Sequence, residues 1–438
     1  MKKKSTLSLI FKYAFPNVIS MWIFTLYTII DGIFIGKFVG ATALAGVNLV
    51  FPLINLIFSI SIMIGVGSST IIAIKFGENK IEEGNKILTS AVFINFIFSI
   101  AITTAILIFY NPIIEVLGAR NGTDIYFFTK EYLQHIIPFS IFYMIGYALE
   151  IYIKVDGKPS YPACCVLVGG ITNLALDYIF VVKFNWGVKG SAIATGISQI
   201  ASCSLLIYYI FFKAKIIKFV KVNAFFIKKT FIIFKIGFPE FLTEVSSGIL
   251  ILIYNLVILN KIGVQGISVY SVITYITSFI TMTMIGFGQG MQPIISYYLG
   301  EKNYKKINDI FKKSLFLLSI IGVFVFLLIN FFTVNLGKLF FDENILVLEL
   351  KKYLSIYSLS YIILGINIFI SSYFTALKKP LYSSLITFPR TILFNGILLL
   401  VLPIFFGNNS IWAVSFLSEF LTIFICIFLF YKKYKISF

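Results

Sequence analysis

Histidine occurs once in this chain, at His135, and cysteine four times without a Cys-x-x-Cys. These shortages exclude a histidine-based metal centre and a dithiol redox motif. Cys164, Cys165, Cys203 and Cys426 all fall inside apolar runs, where cysteine reads as a small packing residue. Charge is scarce as well. Only 12% of residues are charged, roughly half the share of a soluble protein. There is no Walker sequence for ATP, and no exposed stretch pairs acids for catalysis. Gly65-Val66-Gly67 does not follow a strand and is no dinucleotide motif, and the sequon Asn121-Gly122-Thr123 carries no meaning in a bacterium. An enzyme is not expected. Met-Lys-Lys-Lys leads into a long apolar run rather than a short cleavable signal.

What the chain does have is hydrophobic length. Apolar residues make up 59%, in runs of about 20 that recur from end to end. The runs place twelve transmembrane helices at 8–36, 48–74, 87–110, 131–153, 162–182, 190–212, 231–259, 267–298, 314–334, 353–377, 382–402 and 411–431. The expected fold is an all-α, multi-pass membrane protein.

The net charge of +18 follows this topology. With a cytoplasmic N-terminus, roughly 26 of the 36 Lys and Arg fall on the inside, including Lys2 to Lys4, the seven lysines from Lys213 to Lys235, and Lys432 to Lys435. Positive-inside topology explains the basic excess without nucleic acid, and membrane lipids with anionic headgroups become natural partners. Arginine is nearly absent beside abundant Lys, Ile and Asn, which hints at an AT-rich bacterial genome. The expected location is the cytoplasmic (inner) membrane, with both termini on the cytoplasmic side.

The chain is internally duplicated. Residues 15–78 lie over 238–301 without a gap, matching Phe15-Pro16 to Phe238-Pro239, Gly40 to Gly263, Gly65 and Gly67 to Gly288 and Gly290, and Gly77-Glu78 to Gly300-Glu301. Lys158-Pro159-Ser160-Tyr161 is echoed by Lys379-Pro380-Leu381-Tyr382. Each half holds six spans, an even number, so the repeats run parallel about an axis along the membrane normal. The expected domains are an N-lobe at 1–212, a cytoplasmic linker at 213–230 and a C-lobe at 231–438. The linker reads equally as a passive connection or as an amphipathic segment on the membrane surface. Such duplicated proteins bind cargo between their halves and alternate access by rocking, and duplication within one chain points to a monomer.

Six acids fall in or near spans: Asp31, Glu150, Asp177, Glu240, Glu244 and Glu419. An aspartate at mid-bilayer costs about 2.5–3.5 kcal/mol on the insertion scale, so such groups mark ion pathways or structural pairs. Asp31 has Tyr27 one turn earlier on its face, and Pro16 permits a kink further back. Asn173 lies four residues before Asp177, which puts an amide and a carboxylate on one helix face, an oxygen site for a small cation or a home for a protonated acid. Glu150, four residues before Lys154, reads as half of an intrahelical ion pair. Glu240 and Glu244 flank the start of the seventh helix, which Pro239 is expected to open. Glu419 reads as functional or structural, and Arg390 as the neutraliser of some second-lobe acid.

Pro16 with Asp31, "NLALDYIF" at 173–180, "GVKGSAIATGISQ" at 187–199, "GFPEFLTE" at 237–244 and "VDGKPSYP" at 155–162 together resemble the multidrug and toxic compound extrusion (MATE) family over nearly the whole chain. The resemblance implies two six-helix lobes forming a V and cation-coupled export. It is closest to the prokaryotic DinF-type branch, and implies a coupling site of Asp31, Asn173, Asp177 and Thr195, lined by Tyr27, with Pro16 bending the first helix. The family's seventh-helix glutamate maps onto Glu244, with Glu240 beside it. The aspartate that the NorM-type branch has on helix 10 is missing, since 353–377 offers Asn367 and no acid.

The expected function is a secondary antiporter exporting amphipathic, mostly cationic drugs in exchange for H⁺ or Na⁺, with no cofactor. A Na⁺ would sit at Asp31, Asn173, Asp177 and Thr195; no other metal is expected. Tyr27, Tyr254, Phe279 and Phe287 offer aromatic surface to a flat cation or pack the lobes. The alternative is a flippase for lipid-linked oligosaccharide, which would need a cationic cavity for pyrophosphate.

Overall fold

The computed structural model describes residues 5–223, 226, 228, 230–341 and 343–436. Lys2 to Lys4, four residues of the 213–230 linker and the side chains from 432 onward, with Lys432 to Lys435, lie outside the described residues. All regular structure among the described residues is helical. The first half comprises α1 (Thr6–Phe38), α2 (Ala41–Gly77), α3 (Ile81–Ile108), the short α4 (Tyr110–Val116), α5 (Asp124–Ile136), α6 (Ser140–Val155), α7 (Ser160–Asp177) and α8 (Gly187–Phe212). The second comprises α9 (Ile232–Lys261), α10 (Val264–Gly300), α11 (Tyr304–Phe340), α12 (Asn344–Tyr357), α13 (Ser360–Ala376), α14 (Pro380–Phe388), α15 (Phe394–Phe406) and α16 (Val414–Ile436).

Eleven helical stretches are long and apolar enough to cross a membrane, and α12 with α13, bent by 43° at their junction, make a twelfth. All twelve expected spans are thus present. Two depart from a plain helix. The fourth runs Asp124–Val155 through a 3-10 turn at Ile137–Phe139, where Pro138 cannot donate to the helical ladder. The tenth breaks beside Ser358, whose hydroxyl takes a hydrogen bond from Asn330 Nδ2 at 3.0 Å. Pro239 does not open its helix: α9 begins at Ile232 and carries it inside.

The duplication reaches the backbone. The bounds of α2 and α10 differ by 223 residues at both ends, and both helices are 37 residues long. At about 1.5 Å per residue they exceed the roughly 30 Å hydrocarbon core by several turns. Gly40 and Gly263, which precede them, have φ of 129° and 96°, a conformation costly for any side chain. After them, Asn79 and Lys302 occupy the left-handed region at 60° and 56°.

The chain forms two compact units. One comprises Met1–Ala14, Leu242–Ile295 and Asn303–Phe438; the other comprises Phe15–Phe241 and Ser296–Lys302. The second holds the site described below and is called the site unit. Its core gathers Ile64, Leu88, Tyr152, Leu206 and Ile233, and the Ser68 and Tyr152 hydroxyls meet there at 2.7 Å. Large apolar side chains also point outward all along both units, Phe127 and Phe211 in one and Phe331 and Ile404 in the other. In a multi-pass protein such faces meet lipid.

Over 214–223 the linker is neither slack nor helical. The buried Asp156 carboxylate accepts the backbone N–H groups of Lys215, Ile216 (2.7 Å) and Ile217 (3.1 Å), and the Tyr209 hydroxyl at 2.7 Å. Asn85 braces the next turn, accepting from Lys218 N at 3.0 Å and donating to the Ile216 carbonyl at 3.0 Å. Residues 214–223 form a strap pinned to α3 and to the end of α6.

Candidate functional site

Three helices of the site unit each present residues one turn apart on a shared face. From α1 come Tyr27 and Asp31, from α7 Asn173 and Asp177, and from α8 Ser191, Thr195 and Gln199. The α8 stripe meets the other two rung by rung. Ser191 Oγ donates to Asp31 Oδ1 at 2.5 Å, Asn173 Nδ2 to Thr195 Oγ1 at 3.2 Å, and Gln199 Nε2 to the Tyr27 hydroxyl at 3.3 Å. Gly170 lets α1 approach α7, since a Cβ there would lie 3.2 Å from Ile23 and 3.5 Å from Tyr27.

At one end of this ladder the Asp31 and Asp177 carboxyls meet. Asp31 is 6% exposed and Asp177 fully buried. Neither Asp177 oxygen receives a hydrogen-bond donor from the described protein. Two negative charges this close repel each other, so the pair favours a bound proton or cation. The helix then changes pitch: Tyr178–Lys183 forms a π-helical turn, a distortion frequent at functional sites. The donor set is all oxygen and amide, which suits a proton or a hard cation such as Na⁺. No group of three or more His, Cys, Asp or Glu side chains lies together among the described residues.

The ladder borders a cavity of about 140 Å³. Tyr27, Asp31, Thr195 and Gln199 line it on one side, with Phe24, Phe51, Tyr132, Phe139 and Tyr143 supplying aromatic walls and Asn55 a further amide. Glu240 and Glu244, one turn apart on α9, do not line it.

The structure therefore brings together Asp31, Asn173, Asp177, Thr195 and Tyr27. Pro16 sits inside α1, well below the ladder, where its carbonyl accepts from Ser20 Oγ at 3.1 Å. Tyr254 and Phe287 belong to the other unit and are not among the residues that line this cavity. Tyr254 is fully buried, stacked on Tyr270 at 5.2 Å, with its hydroxyl donating to Asn395 Oδ1 at 3.1 Å. Phe287 is wedged edge-on against Phe369 at 5.9 Å. Both rings pack against neighbours within their own unit. Shifted by 223 residues Asp31 falls on Tyr254, and shifted by 222 Asn173 falls on Asn395 and Asp177 on Leu399. The second copy of the site has a tyrosine and a leucine where the first has acids.

Glu150 and Glu419 are paired with cations. Lys154, 2% exposed, contacts Glu150 at 2.8 Å as its spacing suggested, and also bonds Asn17, next to Pro16. Arg390 neutralises Glu419 at 3.1 Å. Asn367 Nδ2 donates to Glu419 Oε2 at 2.7 Å, so the tenth-helix asparagine serves the same network. With both buried cations engaged, neither offers the open cationic cavity that a pyrophosphate carrier needs.

Two residues of the ladder, Ser191 and Gln199, escaped sequence reasoning. The signal was present: both lie in "GVKGSAIATGISQ", four residues either side of Thr195.

Duplicated helical halves, exposed apolar faces and a buried acid site beside an aromatic cavity fit the class of multi-pass membrane transporters. The chain belongs to the MatE family, the multidrug and toxic compound extrusion transporters, whose sequence profile matches it twice, at residues 16–179 and 239–401. It is similar to the multidrug export protein MepA of Staphylococcus aureus, 23% identical over 408 residues that cover 92% of this chain and 88% of that protein. MepA of Staphylococcus saprophyticus is 24% identical over 334 residues, 76% of this chain and 72% of that one. Among solved structures, an outward-facing multidrug resistance MATE transporter of the MOP superfamily shares the fold at a TM-score of 0.91 and 20% identity, covering 99% of this chain and 96% of that chain.

Proposed function

We propose that this MATE efflux transporter is an antiporter that admits H⁺ or Na⁺ at Asp31 and Asp177 and expels amphipathic organic cations through the adjoining cavity. The observation that carries the reading is the meeting of two buried carboxyls, one of them without a donor. Unpaired acids inside a membrane protein are costly to keep and mark ion pathways. The acid site lies in the first repeat alone, as in the DinF-type branch that the sequence resembles.

In this scheme ion uptake neutralises the pair and lowers its demand for donors. α1 can then repack. Pro16 removes one backbone hydrogen bond from that helix and makes bending easier. The movement carries Tyr27 and Asp31 with it, reshapes the cavity wall and releases cargo. The cavity's aromatic rings suit a flat cation, and Asp31 supplies the opposite charge. The chain acts as a monomer in the cytoplasmic membrane of a bacterium, with both termini inside.

The test is ethidium transport in proteoliposomes, with pH and Na⁺ gradients imposed separately, for the wild type and for Asp31→Asn and Asp177→Asn. Transport driven by one gradient and lost in both variants supports the reading and names the ion. Undiminished gradient-driven transport in Asp31→Asn overturns it.

A further inference from the structure

The geometry points to Gln199 as the positioning residue that couples cargo occupancy to ion occupancy. The inference rests on the antiport reading and names the contact through which the α1 movement of that reading is felt by cargo and ion alike, because two sites exchange free energy only through something both of them bias.

The ladder supplies that connection. The α8 stripe holds α1 at two points of the cavity wall, at the ion site through Ser191 on Asp31 and one turn of α1 away through Gln199 on Tyr27. Tyr27 and Asp31 are one turn apart on a single helix, so α1 cannot shift at one rung and stay fixed at the other. The middle rung, Asn173 to Thr195, ties α7 to the same stripe. Gly170 on α7 leaves Tyr27 pressed against that helix, which limits how it can move independently.

The chemistry of the end rung suits a sensor. The Tyr27 hydroxyl accepts from Gln199 and keeps its own proton to donate. Both side chains line the cavity. Cargo that bonds to either one competes with, or completes, the bond that holds α1 to α8. Cargo binding thus changes how firmly α1 is held, and the Asp31 rung feels the same change. By reciprocity, ion binding at Asp31 changes the affinity for cargo.

The experiment measures ethidium affinity of the purified full-length protein by fluorescence, in acidic and alkaline buffer, each with and without Na⁺. In the wild type the affinity ratio across the effective ion should be about fivefold or more, the lower range of typical coupling. Gln199→Leu, which keeps the size but removes the donor, should bring that ratio to within about twofold of unity. Tyr27→Phe removes the acceptor and should do the same, and the double variant should lose nothing further, since the two residues share one bond. Thermal unfolding verifies that each variant is folded, and a merely structural role would shift absolute affinity while leaving the ratio intact. A wild-type ratio retained in Gln199→Leu overturns the inference. A wild-type ratio of one in every buffer overturns the antiport reading, and this inference with it.

Discussion

The Ser191 hydroxyl lies 2.5 Å from Asp31 Oδ1 and holds the first-helix acid against α8, while the neighbouring Asp177 is buried without a donor of its own. The two acids of one site are therefore solvated unequally by the protein, and substitutions at them should separate stability from transport.

Asp177→Asn should melt no lower than the wild type, because the neutral amide can donate to the Asp31 carboxylate that faces it. Its gradient-driven export should be lost. Thermal unfolding in detergent beside the proteoliposome assay checks both. A large fall in the melting temperature would show that Asp177 is a structural acid with a partner it needs.

Arg390→Ala strands Glu419, and Glu419→Ala strands Arg390. Either should destabilise by about 3–5 kcal/mol, because a buried charge is left uncompensated. Replacing both by leucine should recover much of that loss. Protein surviving the double change should keep ion-driven export if the second-lobe pair is structural. Loss of coupling in folded double variant would make Glu419 a functional acid.

Gly196→Ala tests the cavity. A Cβ at Gly196 would lie 2.2 Å from the Phe139 ring, so that ring must move, and Phe139 lines the cavity. Bulky cargo should show a raised KM and smaller cargo much less. Equal changes for large and small cations would separate Phe139 from cargo selection.

Asp156→Ala removes the acceptor of three backbone N–H groups and one tyrosine hydroxyl. At about 1.5–3 kcal/mol for a hydrogen bond to a charged group, the strap should open locally. Limited proteolysis should then cut within 213–223 several-fold faster. An unchanged cleavage rate would mean that Asn85, with the Thr89 hydroxyl that accepts from Val220 N at 3.1 Å, suffices to hold it.

Much of this protein was legible in its sequence because lipid imposes strict terms on a chain. Apolar runs of fixed length had to be helices, and Phe15-Pro16 against Phe238-Pro239 exposed the duplication. The conjunction of Asp31, Asn173, Asp177 and Thr195 came through a family resemblance, and the structure sets these four side by side. Ser191 and Gln199 went unread because serine and glutamine are unremarkable until α8 is turned toward α1. Tyr254 and Phe287 could not be oriented from sequence for the opposite reason. With 18% aromatic residues, an aromatic side chain alone does not say which way it faces. Asp156 gave no warning either, since its partners are backbone amides some sixty residues away.

That last contact sets the terms on which the middle of the chain can change. Asp156 reads the main chain at 215–217 and none of the side chains there, so its grip tolerates any residue that keeps an N–H, and packing alone restricts the buried Ile217. Length has no such freedom. One residue added between Phe212 and Lys215 moves every amide out of reach of the carboxylate, whereas an insertion beyond Asn223 leaves the grip intact. A reporter domain belongs after the strap, never before it.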